Sequence, residues 1–260
     1  MNIVKLKNLS PDITERLKAI SISEDMINQI NSIVEAQDKE HHLPLYFDFS
    51  DERCVYYLCY KGENLMSVFA LFEIDDNIYE VIAFTDTANR KKGYFKALLN
   101  FLYTDLKNGT ELSFICERNF LPAIECAKKL SFDYDSTETM MELDLSTYQG
   151  DEIPDIDIYE EEDNIFYIYY KDGEIGSFGF YTFNFDTGDI YFHSFNIYEE
   201  YQNKGLGKLS MRAILLFLKN IGKTKIHLQL LLENTPAYKI YKDLGFSISS
   251  EISYYKKFIQ

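Results

Sequence analysis

The segment Gln202-Asn203-Lys204-Gly205-Leu206-Gly207 sets two glycines between a run of strand-forming residues and a run with helical spacing. Glycines there let the backbone approach a ligand closely, and the unpaired N–H groups of the first helical turn point at whatever sits beside them. That is the chemistry of an anion cradle. The other reading is a tight strand-to-helix connection with no ligand. A Walker loop is excluded because Gly-Lys-Ser/Thr is missing, and the spacing is not Gly-x-Gly-x-x-Gly. Further on, Asn234 opens the run Asn-Thr-Pro-Ala-Tyr-Lys-Ile-Tyr-Lys-Asp-Leu-Gly-Phe, which holds Tyr241. A tyrosine can protonate a leaving group, but in a chain with 21 tyrosines a helical one can equally be a half-buried packing residue. His193, in the strand before the glycine turn, has a reference pKa suited to general base work, against the plainer reading of a core histidine satisfied by backbone. Glu233 is a second base candidate or a solvated charge, and His227 reads as structural.

The elements that must hold these residues are a strand over 190–197, a helix over 206–221, a strand over 225–232 and a helix starting at Pro236-Ala237. Period-two alternation predicts that His193 shares a face with Tyr191, Phe195 and Ile197. The same order of elements occurs earlier. Val55 to Lys61 followed by Gly62-Glu63 matches Phe166 to Asp172 followed by Gly173-Glu174, and Ile78-Tyr79 matches Ile190-Tyr191. Arg90-x-x-Gly93 matches Gln202-x-x-Gly205, Lys96 matches Lys208, and Pro122-Ala123 through Ser131-Phe132 matches Pro236-Ala237 through Gly245-Phe246. The chain is therefore an internal repeat. The pattern predicts an α/β fold of two tandem units, each a mixed, mostly antiparallel sheet flanked by helices.

A polar stretch near Thr147 to Asp157, punctuated by Gln149-Gly150 and Pro154, marks the seam, giving repeats over 1–148 and 149–260. About 50 residues precede the first strand pair of the N-terminal repeat, and Ser10-Pro11 and Ser23-Glu24 suggest two helix starts there. The repeats differ at the chemistry-bearing positions. Phe95 stands where Gly207 does, Phe120 at the Asn234 position and Ala127 at the Tyr241 position.

With 260 residues, 46% hydrophobic and 26% charged, the chain can bury a real core. A formal net charge of −16 disfavours nucleic acid and anionic lipid as partners and favours cationic or amine-bearing ones. The acidic runs Asp75-Asp76 and Glu160 to Asp163 read as solvated faces. Cys54, Cys59, Cys116 and Cys126 have neither Cys-x-x-Cys nor metal-ligand spacing, so reduced thiols and no metal site are expected. With no signal-peptide pattern at the start and no run long enough to span a bilayer, a cytoplasmic location is the expectation.

The glycine turn and the Asn234-x-x-Ala237-x-x-x-Tyr241-x-x-x-Gly245-Phe246 run together resemble the Gcn5-related N-acetyltransferase superfamily, specifically over about 190–250 and more loosely over both repeats. The resemblance implies acetyl-CoA as co-substrate and a primary amine of a small molecule or peptide as acceptor. It implies that main-chain groups of Phe195 and Ile197 meet pantetheine, that Gln202, Asn203, Lys204, Gly205, Leu206, Gly207 and Lys208 enclose the pyrophosphate, and that Asn234 touches the CoA arm. Tyr241 is then the acid that protonates the CoA thiolate, with His193 as candidate base or a water relay in its place. The N-terminal repeat looks like a degenerate copy. A non-catalytic acyl-CoA sensor or interaction protein is the rival reading.

Overall fold

In this computed structural model the described residues are 1–7, 23–38, 49, 51, 53–162 and 164–260. The helix expected at Ser10-Pro11 lies outside them. The chain forms two compact units, Met1–Ser136 with Ile252–Gln260, and Thr137–Glu251.

The first unit contains β1 (Asn2–Lys7), α1 (Glu24–Asp38), β2 (Cys54–Lys61), β3 (Asn64–Asp75), β4 (Ile78–Thr85), α2 (Tyr94–Asp105), β5 (Glu111–Glu117), α3 (Leu121–Lys129) and the start of β6 (Asp133–Asp144). Strands β1 to β4 pair antiparallel in order, and β5 joins β4 in parallel. The near-continuous apolar run of β2 follows from burial on both faces. Tyr56 and Leu58 pack with Ile30, Ile33 and Val34 of α1, whereas Tyr57 and Cys59 pack with Leu98 and Leu102 of α2. Helix α1 starts where Ser23 was expected to cap it, and the Ser23 hydroxyl accepts from the Met26 amide at 3.2 Å.

The second unit contains the rest of β6, then β7 (Ile156–Glu162), β8 (Ile165–Tyr170), β9 (Gly173–Asn184), β10 (Asp189–Ile197), α4 (Leu206–Asn220), β11 (Lys225–Leu231), α5 (Thr235–Asp243) and the start of β12 (Ser247–Phe258). Its sheet runs β6-β11-β10-β9-β8-β7, and only β10 and β11 are parallel. Each unit is thus a mixed, mostly antiparallel sheet with helices. The apolar stripe of α4, through Met211, Ile214, Leu215 and Leu218, packs on Phe166, Phe178, Phe192 and Leu228. Strand β8 alternates, with Phe166 and Ile168 in this core while Tyr169 turns away and donates its hydroxyl to Glu161 at 2.7 Å.

Two strands cross from one unit to the other. β6 begins in the first unit and from Thr137 belongs to the second, where Glu138 to Asp144 pairs antiparallel with Leu231 to Lys225. β12 begins in the second, and from Ile252 its residues pair antiparallel with β5, from Glu117↔Ile252 to Glu111↔Phe258. The seam expected at 148/149 falls between β6 and β7, whereas the compact units divide the chain at Thr137 and Ile252. Strands β1 and β7 were not expected. β7 carries much of the acidic run, and Glu160 and Glu161 stand exposed on it, charge that blunts a strand at the edge of its sheet.

Candidate active site

The site of the second unit begins with a divergence of strands. β10 and β11 pair in parallel at Ile190↔Ile226, Tyr191↔His227 and Phe192↔Leu228. Pairing stops there, although β10 continues to Ile197 and β11 to Leu231. The backbones part into a wedge whose polar groups are free for a ligand in extended conformation.

A bulge sets the direction of β10 beyond this point. Its pairing with β9 shifts between His193↔Gly179 and Asn196↔Ser177, and Ser194 has φ of 55°. One extra residue reverses the alternation. Ile190, Phe192 and Ile197 therefore lie in one core, and Phe195 packs half-buried beside them with its ring 6.0 Å from that of Phe192. This corrects the expectation that His193 shares a face with Phe195 and Ile197. His193 instead keeps company with Tyr181 and Tyr191, at ring separations of 6.0 and 6.5 Å, and its Nδ1 lies 3.0 Å from the Ser194 hydroxyl. Gly176 and Gly179 of β9 make this arrangement possible. A Cβ on Gly179 would lie 2.5 Å from His193 Cε1. The signal for them was present as glycines within a strand pattern, which mark bulges and close backbone approach.

After β10, a single 3₁₀ turn at Glu199–Tyr201 leads to the glycine turn. Asn203 (φ 59°) and Gly205 (φ 79°) are both left-handed, and Gly205 caps α4 without offering a side chain to its amides. The first-turn N–H groups thus have no intrahelical acceptor and face outward as donors. Gly207 answers a different need. A Cβ there would stand 3.4 Å from Ile240 Cδ1 and 3.8 Å from Ile197 Cγ1, ordinary contact distances, so it is the approach of a ligand rather than the packing of α4 on β10 and α5 that favours the glycine.

The polar side chains of the turn are mostly engaged locally. Gln202 Nε2 donates to the Ile197 carbonyl at 2.8 Å, tying the turn to the end of β10. Lys204 Nζ donates to the Glu200 carbonyl at 2.7 Å. Lys208 forms a 2.7 Å ion pair with Asp243, and that hydrogen bond holds the Asp243 carboxyl below its ordinary pKa.

Helix α5 supplies the remaining two residues. Asn234 is its N-cap, with Oδ1 accepting from the Ala237 amide at 3.3 Å. Pro236 stands in the first turn, where its missing N–H costs nothing. Tyr241 is 6% exposed and packs against Phe246 at 5.3 Å. Burial raises its pKa well above the ordinary phenol value, so it holds its proton throughout the physiological range. The described side-chain atoms sealed from solvent without a partner are those of Tyr60, Thr139, Ser210 and His227. Tyr241 is not among them, so its phenol is buried by the ring while the hydroxyl keeps an outlet.

His227 pairs with Tyr191 across the ladder, sits 3.7 Å from Glu142 through Nδ1, and has Nε2 sealed without a partner. Burial lowers its pKa. It lies where β10 and β11 are still joined, away from the wedge. Glu233 is exposed in the loop before Asn234. Among the described residues no group of three or more His, Cys, Asp or Glu could hold a metal ion, and no helix is long and apolar enough to cross a membrane.

The first unit repeats the backbone. β4 and β5 pair only from Ile78↔Glu111 to Val81↔Phe114 before diverging, and Lys91 (φ 63°) and Gly93 (φ 91°) repeat the left-handed turn. Its side chains differ. Phe95 packs between Phe69 and Phe114, at 4.7 and 5.9 Å, and Ala127 is buried where Tyr241 stands in the other unit.

Comparison with known proteins agrees with this geometry. Residues 136–246 match the acetyltransferase (GNAT) family. Over 100 residues the chain is 30% identical to a spermine/spermidine N(1)-acetyltransferase of Bacillus subtilis, a match spanning 38% of this chain and 62% of that relative. The fold of nearly the whole chain is that of a GCN5-related N-acetyltransferase from Sphaerobacter thermophilus, with TM-score 0.66 at 9% identity over 99% of this chain and 96% of the other. A tandem GNAT protein from the clavulanic acid biosynthesis pathway gives TM-score 0.58 at 10% identity, over 100% and 98% of the two chains. The wedge, the glycine turn and the capped helix thus lie within a GNAT acetyltransferase-family domain over residues 136–246, and the fold along the length of the chain is that of GNAT structures, a tandem GNAT protein among them.

Proposed function

We propose that the second unit transfers an acetyl group from acetyl-CoA to a primary amine of a small molecule or peptide. The observation that carries this is the placement of Tyr241, a buried phenol held protonated, on the helix packed against the glycine turn beside the β10–β11 wedge. The residues present suit acetyl-CoA as substrate. The outward amides of Gly205 to Lys208 match an anionic pyrophosphate, and the unpaired ends of β10 and β11, including the Phe195 main chain, match an amide-bearing arm. The thioester supplies an activated acetyl group. Tyr241 supplies the proton the departing thiolate takes up, in reach of a neutral amine that attacks the carbonyl.

Asn234 then serves first as the cap that fixes the start of α5, and through it the position of Tyr241. His193 as base rests on its place beyond the end of the β10–β11 ladder, on the face that also carries Tyr181 and Tyr191. The acidic chain and the resemblance to a spermine/spermidine acetyltransferase favour a cationic polyamine among possible acceptors. The test is release of free CoA from acetyl-CoA with a panel of spermidine, spermine, amino acids and lysine peptides. Acceptor-dependent release that collapses in Tyr241→Phe supports the reading. Tight acetyl-CoA binding with no release on any amine overturns it in favour of a binding protein.

A further inference from the structure

The first unit holds a cavity of about 530 Å³ in the same position on its fold as the wedge site of the second, lined by Phe84, Phe95, Phe114, Phe120, Phe132 and Ala127 among others. Two substitutions between the repeats shape it. Where Tyr241 fills the space in the second unit, Ala127 leaves it open. Where Gly207 lets backbone come close, the Phe95 ring builds a wall against Phe69 and Phe114.

The charges at its rim differ as well. In the second unit Lys208 is neutralised by Asp243 at 2.7 Å. The matching residues here are Lys96 and Lys129, both at the cavity, so an ion pair has become two cations. Both are exposed, and neither forms an ion pair among the described residues. Lys91 and Arg90 add two more cations, the latter over the Phe120 ring at 5.4 Å and hydrogen-bonded to Gln37. Glu117 and Glu125 are the carboxylates that also line the cavity, and they are outnumbered. In a chain of net charge −16 this local excess of cations stands out. An apolar interior with cations at the rim is complementary to a hydrocarbon body carrying one anionic group.

We propose that the first unit is a non-catalytic binding site for an amphipathic carboxylate, its hydrocarbon body between Phe114, Phe120 and Phe132 and its carboxylate at Lys96 and Lys129. The site is independent of the acetyl transfer proposed for the second unit, because Ala127 offers no proton donor.

Titration calorimetry on the full chain tests this with decanoate, decanol and acetyl-CoA. Two variants accompany it. Ala127→Tyr refills the cavity with the side chain the other repeat has, and Lys129→Asp restores the charge pattern of Lys208 and Asp243 at an exposed position where folding is not at risk. The expected result is one decanoate bound per chain, with decanol at least tenfold weaker, a loss of at least tenfold in each variant, and acetyl-CoA affinity unchanged in both. Failure of decanoate to bind overturns the proposal. So does decanoate binding that neither variant weakens, and so does decanoate that is displaced by acetyl-CoA in competition.

Discussion

A Cβ on Gly176 would lie 2.1 Å from the carbonyl oxygen of Asn196, because the bulged backbone of β10 presses directly on β9 at that point. Both contacting groups are main chain, so neither can swing aside. Gly176→Ala must therefore flatten the bulge or push the strands apart, and overpacking of this kind costs about 1–3 kcal/mol. A lowered melting temperature accompanied by weakened acetyl-CoA binding is expected, since the bulge sets the course of the end of β10 that is unpaired with β11. Calorimetry showing an unchanged transition would dispose of the bulge as a structural requirement.

Tyr241→Phe keeps the ring against Phe246 and deletes only the donor. Turnover with a good amine should fall by about 10²-fold or more, in the usual range for a positioned acid, while acetyl-CoA affinity stays within twofold. Because burial raises the Tyr241 pKa, the phenol remains protonated above pH 10. The alkaline limb of kcat in the parent should therefore not reflect Tyr241. A steady-state pH profile in Tyr241→Phe that loses a limb below pH 9 would contradict this assignment.

The two glycines of the turn should respond differently. Gly205 has φ of 79°, and forcing a Cβ into that region costs about 1–2 kcal/mol, so Gly205→Ala should destabilise the unit. A Cβ on Gly207 would meet Ile240 Cδ1 at 3.4 Å and Ile197 Cγ1 at 3.8 Å, both ordinary contacts, so Gly207→Ala should leave stability within about 1 kcal/mol. Gly207→Glu adds a like charge at the anion cradle and should weaken acetyl-CoA severely. Equal affinities for Gly207→Ala and Gly207→Glu would remove the turn from consideration as the pyrophosphate site.

Much of this site was legible as pattern. The repeat, the glycine turn ahead of α4 and the helix start at Pro236-Ala237 follow from residue types at fixed spacing, whereas the capping of α5 by Asn234 and the near-complete burial of Tyr241 emerge only in the fold. The bulge at Ser194 left its mark on the facing strand, as Gly176 and Gly179 of β9, and none on the alternation of β10 itself, so the face assigned to Phe195 and Ile197 came out reversed. Strand β7 was hidden by its charges. Ile156 and Ile158 pack partly buried against the core while Glu160 stands exposed, and the hydrogen bonds to β8 that make it a strand belong to the backbone. The exchange of β6 and β12 is a matter of long-range pairing, on which local propensity is silent.

His227 gives a pH-dependent stability of stated sign. Its folded pKa is lowered by burial, with Nε2 sealed and unpartnered, while the unfolded chain protonates near the ordinary value of about 6.5. Below that pH the unfolded state binds more protons, so stability is full above it and declines as pH falls toward the folded pKa. His227→Phe, which retains the aromatic contact with Phe183, should flatten this decline. Thermal melts between pH 7.5 and 5 check it, and a parallel decline in parent and variant would assign the effect elsewhere.

The exchanged strand makes a last prediction that the linear order of the chain would not suggest. Residues Ile252–Gln260 belong to the first unit. Ile252 to Phe258 completes the β5 ladder, the Ile259 amide donates to the Thr110 carbonyl at 2.9 Å, the Gly109 amide donates to the Ile259 carbonyl at 2.8 Å, and the Ile259 side chain is 1% exposed in the first unit's core. Truncation after Glu251 strips β5 of that neighbour and uncovers Leu112 and Phe114, which pack in the same core as Ile259. Losing one buried isoleucine alone costs about 2–5 kcal/mol, a large share of the stability of a domain. The deletion at the C-terminus should therefore loosen the N-terminal unit. Limited proteolysis read by mass spectrometry is expected to show new cleavages between β4 and α3, while sites within 137–251 stay protected. A truncated chain with the parent's cleavage pattern throughout would show that β12 is dispensable to the first unit.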